Sequence, residues 1–142
     1  MGSRGILGPA PGAMHQMSNA SSITPKEMAA YRDGARRRQA RERQALRARE
    51  ERAWELARQA AAALREQFGV SRVVVFGSLV HPGWFSPWSD IDIAAWGIRP
   101  EDTFRAIGVA MDLDTEIAVN LIDVGACSAS LLETIERDGV PL

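Results

Sequence analysis

Val73-Val74-Val75-Phe76-Gly77-Ser78, followed after residues 79–89 by Asp90-Ile91-Asp92-Ile93-Ala94, is the stretch that decides how this 142-residue chain is read. Its first four residues are a β-branched and aromatic run closed by glycine, the pattern of a short buried strand. Residues 79–89 hold Pro82, Gly83 and Pro87, which exclude regular structure, together with Trp84, Phe85 and Trp88. From Asp90 to Trp96 carboxylate and apolar side chains alternate, so a second strand is expected there. Side chains two apart on a strand point the same way, which projects Asp90 and Asp92 from one face and Ile91 and Ile93 from the other. Two hard carboxylates converging on one spot suit Mg²⁺, an ion normally held by one or two carboxylates plus substrate phosphates and waters. An isolated Asp-x-Asp is more often a solvated sheet face. Gly77-Ser78 changes the balance, because a residue without Cβ admits a phosphate closely, and the backbone N–H groups and the Ser78 hydroxyl can donate to its oxygens.

Upstream, Thr24-Pro25-Lys26-Glu27 has capping-box spacing with proline at the first helical position, and no further proline occurs before Gly69. One helix is therefore expected over 24–68. Its second half carries Ala53, Trp54, Ala57, Ala60, Ala61, Leu64 and Phe68 at three- and four-residue steps, a stripe able to pack on a sheet. The part from Tyr31 to Arg52 is polar nearly all round, which implies either a solvated helix held by Arg/Glu pairs or a surface for a partner. Downstream, Arg99-Pro100-Glu101 opens a helix with Phe104, Ile107 and Met111 on one face. A third strand is expected over Glu116–Asp123, then a helix from Ser130 to Arg137 capped by Ser130 and Glu133 and ended by Gly139. Residues 1–23, rich in Gly, Pro, Ser and Asn without apolar period, are expected to be disordered. The domain reading is thus a 1–23 segment, a long Arg-rich helix 24–68 and a small domain 69–142. Its class is α+β, a small mixed sheet with helices packed on one face.

Composition places the chain among globular proteins: 46% hydrophobic and 25% charged residues are near the average for soluble domains. No apolar run approaches the roughly 20 residues that span a bilayer, and Ile6 and Leu7 before Gly8-Pro9 are too few for a signal peptide. A cytoplasmic setting is expected, and the lone Cys127 agrees with it. Charge is uneven: residues 32–52 hold nine arginines against four carboxylates, whereas Phe76 onward holds three against eleven. Different jobs for the two parts follow.

The two quoted stretches, with Asn120-Leu121-Ile122-Asp123 and Ile135-Glu136-Arg137-Asp138-Gly139-Val140, resemble the minimal nucleotidyltransferase (MNT) family of the polymerase β-like superfamily over about Glu66 to Leu142. That resemblance implies a nucleotidyltransferase fold and transfer of an NMP group from ATP or another NTP to a hydroxyl. Asp90 and Asp92 would be catalytic and hold Mg²⁺, with Gly77 and Ser78 binding the nucleotide. It also implies an antitoxin role beside a HEPN-type toxin. Two departures stand out. The third carboxylate of the family falls at Asn120, and strand parity turns Asp123 away from the site, leaving Glu116 as a substitute on the same face as Asn120. The loop lacks Lys and Arg, and His81, its one possible cation, reads most simply as a plain loop residue.

Because a neutral amide serves two-metal transfer poorly, a catalytically weak or inactive binding module acting through its helix is the alternative. A homo-oligomer through the long helix is a further expectation. Nucleic-acid binding by the arginines ranks lower, since carboxylates intersperse them and stacking aromatics are nearly absent.

Overall fold

The computed structural model describes residues 22–142, so the disorder expected for residues 1–23 lies, save for its last two residues, outside the described residues. The elements are α1 (Pro25–Phe68), β1 (Arg72–Phe76), β2 (Ile91–Trp96), α2 (Thr103–Met111), β3 (Val119–Asp123), α3 (Ala129–Asp138) and β4 (Val140–Pro141). Single turns of 3₁₀ helix occupy Gly77–Val80, Pro100–Asp102 and Val124–Ala126. The sheet order is β3-β2-β1-β4, parallel between β2 and β3 and antiparallel elsewhere. An α+β domain with a mixed sheet agrees with the fold class expected from the order of elements together with the family resemblance. β4 is an addition to them: two residues, one a proline, carry no strand period, and Leu142 extends the pairing by donating its N–H to Val73 O at 3.0 Å.

The start of α1 is built as expected, since Glu27 N–H donates to Thr24 Oγ1 (3.1 Å) and Thr24 N–H to Glu27 Oε2 (3.3 Å). The described residues divide into two units at Arg43/Gln44, and α1 contributes to both. In the first, its residues are exposed apart from the half-buried Gly34 and Ala35. In the second, Ala53, Leu56, Ala57, Ala60, Ala61 and Leu64 are buried. Trp54 and Phe68 only border this core, whose helix side is built largely of alanines.

Period-two alternation sends the strands' side chains to two different cores. Val73, Val75, Ile91, Ile93, Ala95, Val119 and Leu121 face α1, joined by Ala106 and Ala110 of α2. On the other face, Val74, Phe76 and Ala94 meet Ile135 of α3, flanked by Ile122 and Leu131. The expectation of helices on one face is therefore amended: α3 covers part of the second face, because Ile135 and Leu131 give it an apolar side of its own.

Three local expectations are corrected. In α2 the buried residues are Ala106 and Ala110, while Phe104 and Met111 are 89% and 59% exposed; the small side chains fit against β3, and the large ones stand outside. β3 begins at Val119 instead of Glu116, because Asp114 Oδ2 accepts the N–H groups of Glu116 (3.1 Å) and Ile117 (2.9 Å) and holds a turn there. The cap of α3 is Ser128, whose Oγ accepts Leu131 N–H at 3.2 Å, so the helix starts before Ser130. Gly139 ends it as expected for a steric reason: a Cβ there would lie 2.5 Å from Ile135 O and 2.9 Å from Val74 Cγ2. Among the described residues no helix is long and apolar enough to cross a membrane.

Candidate functional site

β1 and β2 run antiparallel with Phe76 opposite Asp92, so the turn that leaves β1 lands beside the carboxylates of β2. Gly77 makes that turn at φ +77°, a conformation side chains rarely adopt. A Cβ placed on it would lie 2.6 Å from Asp92 Oδ2. Glycine is thus required twice, by the backbone angle and by the carboxylate pressed against it. Ser78 and the backbone of residues 77–80 continue from that point as one 3₁₀ turn.

On the other side of Asp92, the parallel register puts Asn120 directly opposite it. Asn120 Nδ2 donates to Asp92 Oδ1 at 3.3 Å and to Asp90 Oδ2 at 3.4 Å, bridging the pair. Asp90 is exposed and Asp92 half-buried. Burial pushes the Asp92 carboxyl above its ordinary value, the Asn120 hydrogen bond opposes this, and the charge of Asp90 adds to it. A half-buried carboxylate held above its ordinary value is relieved by a cation beside it. Asp90 and Asp92, both within 3.4 Å of Asn120 Nδ2, are the residues that could hold one hard divalent ion of the Mg²⁺ type. A second ion finds less, since Asn120 brings an amide where a carboxylate would be needed, and among the described residues no three His, Cys, Asp or Glu side chains gather as a metal group.

Asp123 and Glu116 stay outside. Asp123 accepts Thr103 Oγ1–H at 2.8 Å and Gly125 N–H at 3.0 Å, the parity expected of it. Glu116 lies in the turn before β3 and so is not on the strand face that would make it a substitute for the third acid.

Two contributors escaped the sequence reading. Arg49, counted there among the polar residues of the helix, has turned inward: its Nη2 donates to Ser89 O at 3.1 Å and its guanidinium lies 5.8 Å over the Phe85 ring. Phe85 itself is buried at 3% exposure, whereas Trp84 and Trp88 stand outside. With Ser89 Oγ accepting Ser86 N–H at 2.9 Å, these contacts fix the loop immediately before Asp90. The signal was weak, an arginine one turn before Ala53 on the buried stripe.

The second is Arg137. A groove of about 590 Å³ runs from the turn, lined by Phe76, Gly77, Ser78, His81, Trp84, Thr134, Arg137 and Asp138. Arg137 donates to both carboxylate oxygens of Asp138 (3.1 and 3.3 Å), and His81 Nε2 lies 3.7 Å from Asp138 Oδ2. The His81 ring also meets Trp84, centroids 4.3 Å apart. His81, read as a plain loop residue, is therefore tied to α3, and the arginine missing from the loop comes to the groove from that helix.

No family model and no curated protein matches the chain. Similar solved structures include two mutant forms of the MntA–HpeT toxin–antitoxin complex. The first is 20% identical, covers 60% of this chain and 70% of that chain, and has a TM-score of 0.49. The second is 23% identical, covers 60% and 69%, and has a TM-score of 0.48. A third is the tri-AMPylated Shewanella oneidensis HEPN toxin in complex with MNT antitoxin, 21% identical over 63% of this chain and 70% of that chain, with a TM-score of 0.46.

Proposed function

We propose that this chain is a Mg²⁺-dependent nucleotidyltransferase domain that moves an NMP group from ATP or another NTP to a hydroxyl acceptor. The observation that carries the reading is the contact of Gly77 with the Asp92 carboxylate, which leaves less than one methyl's room between a phosphate-admitting turn and an acid pair. A glycine turn set directly against a carboxylate pair is the arrangement a metal–triphosphate requires. When bound, Mg²⁺ would neutralise phosphate charge and orient the α-phosphorus for in-line attack.

Asp90 and Asp92 hold the ion in this proposal. Gly77 and Ser78 donate to the outer phosphate oxygens, and the groove ending at Trp84 and Arg137 takes the remainder of the nucleotide. The acceptor oxygen forms a bond to the α-phosphorus as the bond to the pyrophosphate oxygen breaks, and the hydroxyl proton leaves to a carboxylate or to water. Asn120 cannot take that proton. A cytoplasmic HEPN-type toxin, which the motif's family resemblance implies, is the protein acceptor and partner proposed with it.

The bridging position of Asn120 favours one second reading, a domain that binds NTP without turning it over. Transfer of label from ATP, with and without Mg²⁺, separates the two when run on this chain, on Asn120→Asp and on Asp90→Ala as blank. Transfer by the native chain establishes the enzyme. Gain only in Asn120→Asp assigns the amide as the disabling feature, and equal transfer by both shows that residue 120 is indifferent. Absence of both transfer and Mg²⁺-dependent ATP binding in every form sinks both readings.

A further inference from the structure

The first unit presents a helix surface with two chemistries. Met28, Tyr31 and Ala35, at steps of three and four, lie along one stripe. Tyr31 is 70% exposed and Ile23, just before the helix, 54%; with Met28 and Glu27 they outline a mostly apolar hollow of about 330 Å³. Arg32, Arg36 and Arg43 run along one edge of this stripe and Arg38 along the other. Among the described residues none of these four arginines makes an ion pair. The pairing that would hold a merely solvated helix is absent, so the charge is free for a partner.

The second unit presents the converse. On α2, the exposed Phe104 and Met111 with the half-buried Gly108 between them form an apolar ridge beside a hollow of about 450 Å³ lined by Gln67, Phe68, Arg105, Gly108, Val109 and Asp112. Residues 101–116 around it hold five carboxylates (Glu101, Asp102, Asp112, Asp114, Glu116) against Arg105 alone. Arg105 is itself committed to Asp102 at 2.6 Å, and neither Asp112 nor Glu116 has an ion-pair partner among the described residues.

We infer that the chain associates with itself head to tail, the Met28–Tyr31–Ala35 stripe of one copy seating on the Phe104–Met111 ridge of a second. Apolar surface meets apolar surface, and free arginines meet free carboxylates around it, which sets orientation and register. The apolar stripe is what favours a protein surface over nucleic acid, whose backbone would engage the arginines and leave Met28 and Tyr31 in water. Because the two surfaces differ, the contact runs from one patch to the other: made twice about a two-fold axis it closes a dimer, and made once per copy it closes a ring or continues.

Light scattering on the full chain tests this without reference to the nucleotide site. In low-salt buffer the mass exceeds that of a monomer and rises with concentration; near 1 M NaCl, where the screening length is about 3 Å, it falls to the monomer. The R32E/R36E/R43E variant and Phe104→Asp each weaken association at least about tenfold, and circular dichroism confirms that both fold, as expected for exposed positions. Mixed together, the two variants associate again, since one keeps an intact ridge and the other an intact stripe. A monomer at every concentration overturns the inference, as does association that Phe104→Asp leaves unchanged, or a mixture that stays monomeric. So does a monomer that takes up an RNA or DNA oligonucleotide through the same arginines.

Discussion

The two faces of the sheet are built from the same three strands and do opposite things. Toward α1, every alternate residue from Val73 to Leu121 is apolar and covered. On the other face, Val74, Ala94 and Ile135 close one end, while Phe76, Asp92 and Asn120 lie at the end with the polar open site. Period-two geometry sends neighbours in sequence to different places, Ile91 into the core and Asp92 to the proposed site. Mutations on the two faces should therefore separate as well.

The largest effect is expected under α1. Leu64→Ala removes a fully buried side chain and should cost about 2–5 kcal/mol. Urea unfolding reads the loss, and nucleotide affinity of the fraction still folded should be unchanged. A variant of native stability, or one that stays folded but loses affinity, breaks the separation of faces. Next comes Gly77→Ala, which meets a left-handed φ and a 2.6 Å approach to Asp92 Oδ2. A cost of about 1–3 kcal/mol follows from the strain, and here binding of Mg²⁺–ATP, measured by calorimetry, should fail even in folded protein. Unimpaired binding would show that the turn and the acids are not one site.

Much of this division is legible in the sequence. The alternation at Asp90–Ile93 fixed both faces of β2, and the opposed parities of Asn120 and Asp123 placed the amide in the site and the acid outside it. What escapes has two physical causes. Arg49 and Arg137 owe their roles to tertiary neighbours (Ser89 O and the groove wall), of which a one-dimensional period carries no record. The cap Ser128 is a local choice between two serines two residues apart, and its Oγ accepts Leu131 N–H. In α2 the period was right and its sense wrong: Phe104 and Met111 do share a face, but alanine's small size, not hydrophobicity, decided which face could reach β3. The loop aromatics were ambiguous for the same reason, with Phe85 buried and its neighbour Trp84 exposed.

The smallest effect, and the one that bears most directly on the open face, is expected for Asp92→Asn. Burial and the Asp90 charge hold the Asp92 carboxyl above its ordinary value, so between the unfolded and folded pKa the folded chain binds more protons than the unfolded one. Stability then falls as pH rises through that window, and above it the ionised Asp92 is a standing cost to the metal-free fold. Removing the charge should raise the Tm near neutral pH in Mg²⁺-free buffer, and should give no gain at a pH low enough to protonate Asp92 in both states. The same substitution should abolish stabilisation by Mg²⁺–ATP. Both outcomes together would mark a site that is destabilising when empty and necessary when filled, as the proposed function requires of a face that packing alone would make apolar. If Asp92→Asn lowered the Tm at neutral pH instead, the carboxylate would be a structural acceptor for its neighbours, and the open face would lose its claim to chemistry.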